Sequence, residues 1–217
     1  MAIEAILWDF GGVISTSPFD AFNTYEEEHG IPKDFIRSVN AKDPHTNAWA
    51  QFESSQISAA QFDEKFAHET ERDGHRIPGR DVIPLLGGEL RPRMVQVLKQ
   101  CKASYAIACL TNNANAGEGP GMAGTQERAT ANAAVMSLFD LVIESSKEGM
   151  RKPDPRIYQL ACERLAVAPE NIVYLDDLGI NLKPARQMGM TTIKVVHEPQ
   201  AIAELSAALN LQFSFQD

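Results

Sequence analysis

Cysteine is scarce. The 217 residues hold three, Cys101, Cys109 and Cys162, with no Cys-x-x-Cys pair among them. Such sparse, widely separated thiols argue against both a disulfide framework and a zinc site. Each is expected to pack as a small apolar side chain, because no histidine stands as an obvious partner for a nucleophilic thiol. The five histidines show no His-Glu-x-x-His spacing, so structural or surface roles are their default. Positive charge is also in deficit, with 20 Lys and Arg against 29 Asp and Glu and a formal net charge of −9. A sequence-independent grip on phosphodiester backbones needs clustered basic charge, which makes nucleic acid a poor partner. No apolar run approaches the ~20 residues that span a bilayer, and Met1-Ala2-Ile3-Glu4 opens no basic-then-apolar signal segment. A soluble, cytoplasmic protein with no membrane contact is expected.

What is present is ordinary globular composition, 44% hydrophobic and 23% charged, enough for one well-cored domain carrying a smaller accessory one. Five short apolar runs end at polar or acidic clusters and read as strands, over residues 5–8, 105–110, 141–143, 172–175 and 192–196. They are continuous rather than alternating, the pattern of strands buried on both faces. Helical patterns separate the later runs. Ile157, Tyr158, Ala161, Cys162 and Leu165 share a face behind Asp154-Pro155, an N-cap and N1 pair. A further helix over 181–188 stops at Gly189, a good C′ residue. Strand alternating with helix predicts an α/β fold with a doubly wound parallel sheet.

Residues 15–89 carry no convincing strand pattern. Amphipathic helices replace it, through Phe19, Phe22 and Tyr25, then Phe35 and Val39, then Phe62 and Phe66, and Ser58 and Gln61 have the spacing of a capping box. The expected organisation is an α/β domain of residues 1–14 and 90–217, with a small all-helical module of residues 15–89 inserted after the first strand. The α/β pattern resumes with Pro92 at a helix start and Met94, Val97, Leu98 and Cys101 on one face. Gly119-x-Gly121-x-x-Gly124 formally matches a dinucleotide fingerprint, but it contains Pro120 and no strand immediately precedes it, so a mobile loop beside the site is expected.

Three polar clusters fall at carboxyl ends of expected strands: Asp9-Phe10-Gly11-Gly12-Val13, Thr111-Asn112-Asn113 and Asp176-Asp177. In an open α/β sheet those ends share the rim where ligands bind. A fourth cluster, Gly149-Met150-Arg151-Lys152-Pro153, lies in the loop before the helix at Pro155. Three carboxylates converging in a low-dielectric cleft repel one another, which calls for protonation or a cation. A hard divalent ion with oxygen ligands, Mg²⁺ by preference, meets that need and keeps positions open for phosphate oxygens. Lys152, the Thr111 hydroxyl and backbone N–H groups after the strands supply donors to an anion. The chemistry predicted is phosphoryl transfer.

Four motifs in this order resemble the haloacid dehalogenase-like hydrolase superfamily: Trp8-Asp9-Phe10-Gly11-Gly12-Val13, Leu110-Thr111-Asn112, Lys152-Pro153 and Leu175-Asp176-Asp177-Leu178-Gly179-Ile180-Asn181. The resemblance covers nearly the whole chain, and is similar to the branch containing the N-terminal phosphatase domain of soluble epoxide hydrolase. It implies that Asp9 is a nucleophile forming an aspartyl-phosphate that water later hydrolyses. It implies Mg²⁺ held by Asp9, the backbone carbonyl of Gly11 and Asp177, with Asp176 a ligand directly or through water. Thr111 and Asn112 would hold the phosphoryl group, and Lys152 would neutralise charge shared between it and Asp9. Residues 15–89 would be the cap that closes over the site and selects the leaving group. The expected substrate is a small phosphorylated metabolite.

One position departs from that pattern. The family's phosphatases usually carry a second Asp two residues after the nucleophile as general acid and base, and here that residue is Gly11. Such help is worth ~10² to 10⁴ in rate. The departure predicts a slow enzyme, a substrate with a good leaving group, or a substitute acid from the cap, where His29, His45, His68 and His75 are candidates. Two other readings follow: a catalytically weak domain kept as a binding or regulatory module, and a 2-haloacid dehalogenase, against which Asp176-Asp177 argues. The acidic balance is uneven, since residues 15–89 hold 14 acidic and 7 basic residues, which disfavours polyanions and suits a small phosphate ester.

Overall fold

In this computed structural model, which describes residues 2–114 and 121–215, the strands are β1 (Ala5–Trp8), β2 (Ala106–Thr111), β3 (Leu141–Glu144), β4 (Ile172–Asp176) and β5 (Thr191–Lys194). They form one parallel sheet in the order β3-β2-β1-β4-β5. All five expected strands are there, with ends shifted by one or two residues. The expectation that each is buried on both faces needs correction. It holds for β1, β4 and nearly all of β2, but β3 and β5 are edge strands, and within β5 only Ile193 is buried.

Side chains alternate across the sheet. Ile6, Trp8, Ile107, Cys109, Val173 and Leu175 form one core with α6 (Pro92–Cys101), α7 (Gln126–Met136) and α11 (Glu198–Leu209). Ala5, Leu7, Ala108, Leu110, Ile172 and Tyr174 form the other with α9 (Pro155–Leu165) and α10 (Gly179–Gln187). Helices on both faces make the sheet doubly wound. The Asp154 carboxylate caps α9 by accepting from the Arg156 N–H at 3.0 Å. Helix α10 begins at Gly179, two residues before the expected Asn181, and the chain leaves it through Gly189 at φ 102°. A short α8 (Ser145–Glu148) follows β3 directly.

Between β1 and α6 lie α1 (Pro18–Glu28), α2 (Phe35–Asn40), α3 (Ala48–Glu53), α4 (Ala59–Arg72), α5 (Gly79–Val82) and a 3-10 turn, Ile83–Leu86. They surround a third core, in which the Phe62 ring stacks on Phe52 at 4.6 Å and on Phe66 at 5.4 Å. The capping box at Ser58 and Gln61 is formed in full. The two connections to the sheet run side by side: Ser15 and Leu90 form an antiparallel bridge, flanked by Thr16 N–H to Glu89 carbonyl at 2.8 Å and Arg91 N–H to Ile14 carbonyl at 2.9 Å.

The glycine-rich stretch over 117–124 falls partly on residues outside those described, and Gly121–Ala123 is a 3-10 turn. Among the described residues, no helix is long and apolar enough to cross a membrane.

Candidate active site

Asp9 directly follows β1, Thr111 closes β2 and Asp176 closes β4, so the parallel sheet brings all three to one rim. Lys152 arrives from the loop before α9. Its side chain is 1% exposed, and the ammonium lies 2.9 Å from Asp9 Oδ1 and 2.8 Å from Asp176 Oδ2. Asp9, Asp176 and Asp177 each offer a carboxylate oxygen, and these lie within 4.8 Å of one another.

Asp176 is fully buried and saturated with donors. Its oxygens accept from Lys152, from Asn181 Nδ2 at 3.1 Å, from the Leu178 N–H at 2.8 Å and from the Tyr174 hydroxyl. Tyr174 is two residues earlier on the strand and therefore on the same face. Asp177 is less enclosed. Its Oδ2 accepts from the Ser17 hydroxyl at 3.3 Å, and it passes so close to Gly12 that a Cβ there would stand 2.2 Å from it. Gly12 also sits at φ 75°, so glycine is required twice over.

Burial raises the Asp9 pKa well above the ordinary carboxyl value, Lys152 opposes the shift, and Asp176 and Asp177 add to it. Burial, with the charge of Asp176, pushes Asp177 up to about 6. For Lys152, burial disfavours the ammonium, but attraction to Asp176 and Asp9 outweighs it and the pKa rises. With all three carboxyls ionised, one ammonium leaves an excess of two negative charges, the charge of one divalent cation, and the raised Asp9 and Asp177 values express the cost of that excess when no cation answers it. The oxygen-only donor set suits a hard ion such as Mg²⁺.

Asn112 does not present its side chain to the site. Its amide is committed to the Lys152 backbone, donating to the carbonyl at 3.1 Å and accepting from the N–H at 2.9 Å. Asp9, Gly11, Thr111, Asn112, Lys152 and Asp177 line one cavity of about 700 Å³, and Asp176 lies outside its lining.

Sequence reasoning missed part of the wall. Glu53 of α3 and Arg151 border the same cavity and pair at 2.6 Å, and Arg151 also donates to the Pro44 carbonyl at 2.9 Å. Ser55 links to the Ser146 carbonyl at 2.7 Å beside them. The signal available was the place of Arg151 next to Lys152. The expectation of a histidine acid needs correction, because His29, His45, His68 and His75 do not line the cavity. His29 stacks on Tyr25 at 4.0 Å, His75 meets the Phe35 ring edge-on at 5.0 Å, His68 lies by Glu71 at 3.7 Å and His45 is exposed.

The chain belongs to the haloacid dehalogenase-like hydrolases, whose family profile matches residues 3–189. It is 33% identical over 212 residues to mouse acyl-CoA dehydrogenase family member 10, covering 95% of this chain and 19% of that protein. It is 29% identical over 226 residues to mouse bifunctional epoxide hydrolase 2, covering 98% of this chain and 40% of that protein. The chain thus spans less than half the length of either relative. Phosphatases and a 2-haloacid dehalogenase are also among its relatives. A haloacid dehalogenase family enzyme of Bacteroides thetaiotaomicron, solved with magnesium and inorganic phosphate, shares the fold with a TM-score of 0.58 at 18% identity, covering 91% of this chain and 97% of that one.

Proposed function

We propose that this hydrolase is a Mg²⁺-dependent phosphatase of a small phosphorylated metabolite, working through an aspartyl-phosphate on Asp9. The observation that carries the reading is the Lys152 ammonium lodged between Asp9 and Asp176, with Asp177 beside them, at the floor of an open cavity. Both donors to Asp9 among the described residues, Lys152 and the Phe10 N–H at 2.7 Å, reach Oδ1. In this reading Oδ2 is the attacking atom, and Lys152 neutralises charge that develops between it and the phosphoryl group. Water then releases phosphate and regenerates Asp9.

Asp9, the Gly11 carbonyl and Asp177 would hold Mg²⁺, which when bound supplies positive charge to phosphate oxygens. The donors already on Asp176 support a role as anchor of Lys152, with any approach to the ion through water. The Thr111 hydroxyl and the Asn112 main chain would bind the phosphoryl group. Residues 15–89 would act as the cap over a core of residues 1–14 and 90–217, their own aromatic core and the paired linkers at Ser15 and Leu90 supporting that division.

The test is a panel of phosphate esters assayed with and without Mg²⁺, alongside the metal content of the purified protein. Phosphate release that needs Mg²⁺ is the expected result. Chloride release from 2-chloropropionate without it would instead favour the dehalogenase reading, for which the adjacent Asp176 and Asp177 carboxylates have little use.

A further inference from the structure

A Cβ built on Gly11 meets no atom within 4 Å, and Gly11 borders the cavity together with Asp9. The place for an acid is therefore open space. Among the described residues, two carboxyl groups besides Asp9 and Asp177 line the cavity, and both are engaged. Glu53 pairs with Arg151 at 2.6 Å, while Glu144 accepts from Asn113 at 2.8 Å and pairs with Lys147. No described histidine borders it. Among the described residues, the leaving oxygen thus meets no uncommitted carboxyl or imidazole to protonate it.

Building on the phosphatase reading, we infer that the site is specific for phosphate donors whose leaving oxygen departs as a stable anion, acyl phosphates foremost, and that it handles alkyl phosphates poorly. With an acyl phosphate, the bond from Asp9 Oδ2 to phosphorus forms as the bond from phosphorus to the carboxylate oxygen breaks. The electron pair leaves on that carboxylate and no proton has to move. One acyl phosphate replaces another, so the step is close to level in energy. An alkyl ester would have to expel an alkoxide, and it forfeits the ~10² to 10⁴ that a general acid supplies. In the second step water attacks phosphorus, its proton passes to solvent and the Asp9 carboxylate is released. With no base at residue 11 this step is the slow one, so phosphorylated Asp9 accumulates.

The experiment compares kcat/KM for acetyl phosphate, 4-nitrophenyl phosphate and butyl phosphate in wild type and Gly11→Asp, with Mg²⁺ present. Mass spectrometry of the acid-quenched protein reads phosphorylated Asp9, and thermal melts verify that the variant is folded. Wild type should lose ~10² or more between acetyl and butyl phosphate, and Gly11→Asp should raise butyl phosphate turnover by ~10² to 10⁴ while moving acetyl phosphate far less. The phosphoenzyme should be abundant in wild type during acetyl phosphate turnover and scarce in the variant. Equal wild-type rates on acetyl and butyl phosphate would overturn the inference and leave the phosphatase reading standing. So would a steep wild-type profile that a folded Gly11→Asp fails to flatten. Phosphate release from none of the three would overturn the phosphatase reading itself.

Discussion

Asn112 and Lys152 exchange a reciprocal pair of hydrogen bonds, Asn112 Nδ2 to the Lys152 carbonyl at 3.1 Å and the Lys152 N–H to Asn112 Oδ1 at 2.9 Å. One side chain from the end of β2 thereby fixes the backbone from which the buried ammonium extends. Asn112→Ala strands both backbone groups, and leaving such groups unmatched costs about 1–3 kcal/mol. Urea unfolding should show a loss of that size. Steady-state kinetics should show kcat falling more than KM rises, since in the proposed mechanism the displaced ammonium acts on the reacting phosphoryl.

Lys152 bridges two buried carboxylates at once. Lys152→Met keeps much of the apolar stem but leaves Asp9 and Asp176 facing each other, and breaking a buried pair in this way costs about 3–5 kcal/mol. Denaturant titration should register the loss. Added Mg²⁺ should stabilise the variant more than it stabilises wild type, because the ion then answers a larger charge excess.

The pH dependence follows from Asp177, whose carboxyl is pushed up to about 6 by burial and by the charge of Asp176. A raised folded-state pKa gives a stability contribution that is full below the ordinary value and is lost as pH rises through about 6. The metal-free protein should therefore lose this contribution between about pH 4 and pH 6. Metal ligands must be deprotonated, so Mg²⁺ affinity has the opposite slope. Thermal melts with and without Mg²⁺ should show a metal-induced increase that grows from pH 5 to pH 7. An increase of the same size at both values would contradict this.

In the helical module, Glu26 is 1% exposed and its Oε1 accepts from the Ile36 N–H at 2.8 Å, in the first turn of α2. Asp34, the N-cap of that helix, makes no side-chain cap and sits at φ 61°. Glu26 thus does from α1 what the cap residue does not. Glu26→Gln retains an acceptor and should be mild, whereas Glu26→Ala should cost about 1–3 kcal/mol in urea unfolding.

The strand ends at Asp9, Thr111 and Asp176 were legible in the sequence because a buried parallel strand is an unbroken apolar run and its polar terminus is abrupt. The capping box at Ser58 and Gln61 and the Asp154-Pro155 start of α9 were legible for the same local reason: their chemistry is complete within a few residues. Helices α3, α7 and α11 were not anticipated. At six residues α3 is too short for a periodic signal, although it carries Trp49 and Phe52 into the third core. The Glu53–Arg151 pair joins positions far apart in sequence, and no local pattern announces it. The resemblance implies Asn112 as a phosphate-holding residue but does not say which of its groups faces the cavity. That its side-chain amide bonds the Lys152 backbone depends on how two loops meet, which is a tertiary fact.

The most direct test of the central claim is the initial rate of phosphate release from 4-nitrophenyl phosphate, with Mg²⁺, by wild type and by Asp9→Asn, a change that keeps the shape of the side chain and removes the proposed nucleophile. The account predicts Mg²⁺-dependent release by wild type and a loss of ~10³ or more in the folded variant, in the range that removal of a covalent nucleophile produces. Equal rates for the two proteins would contradict it.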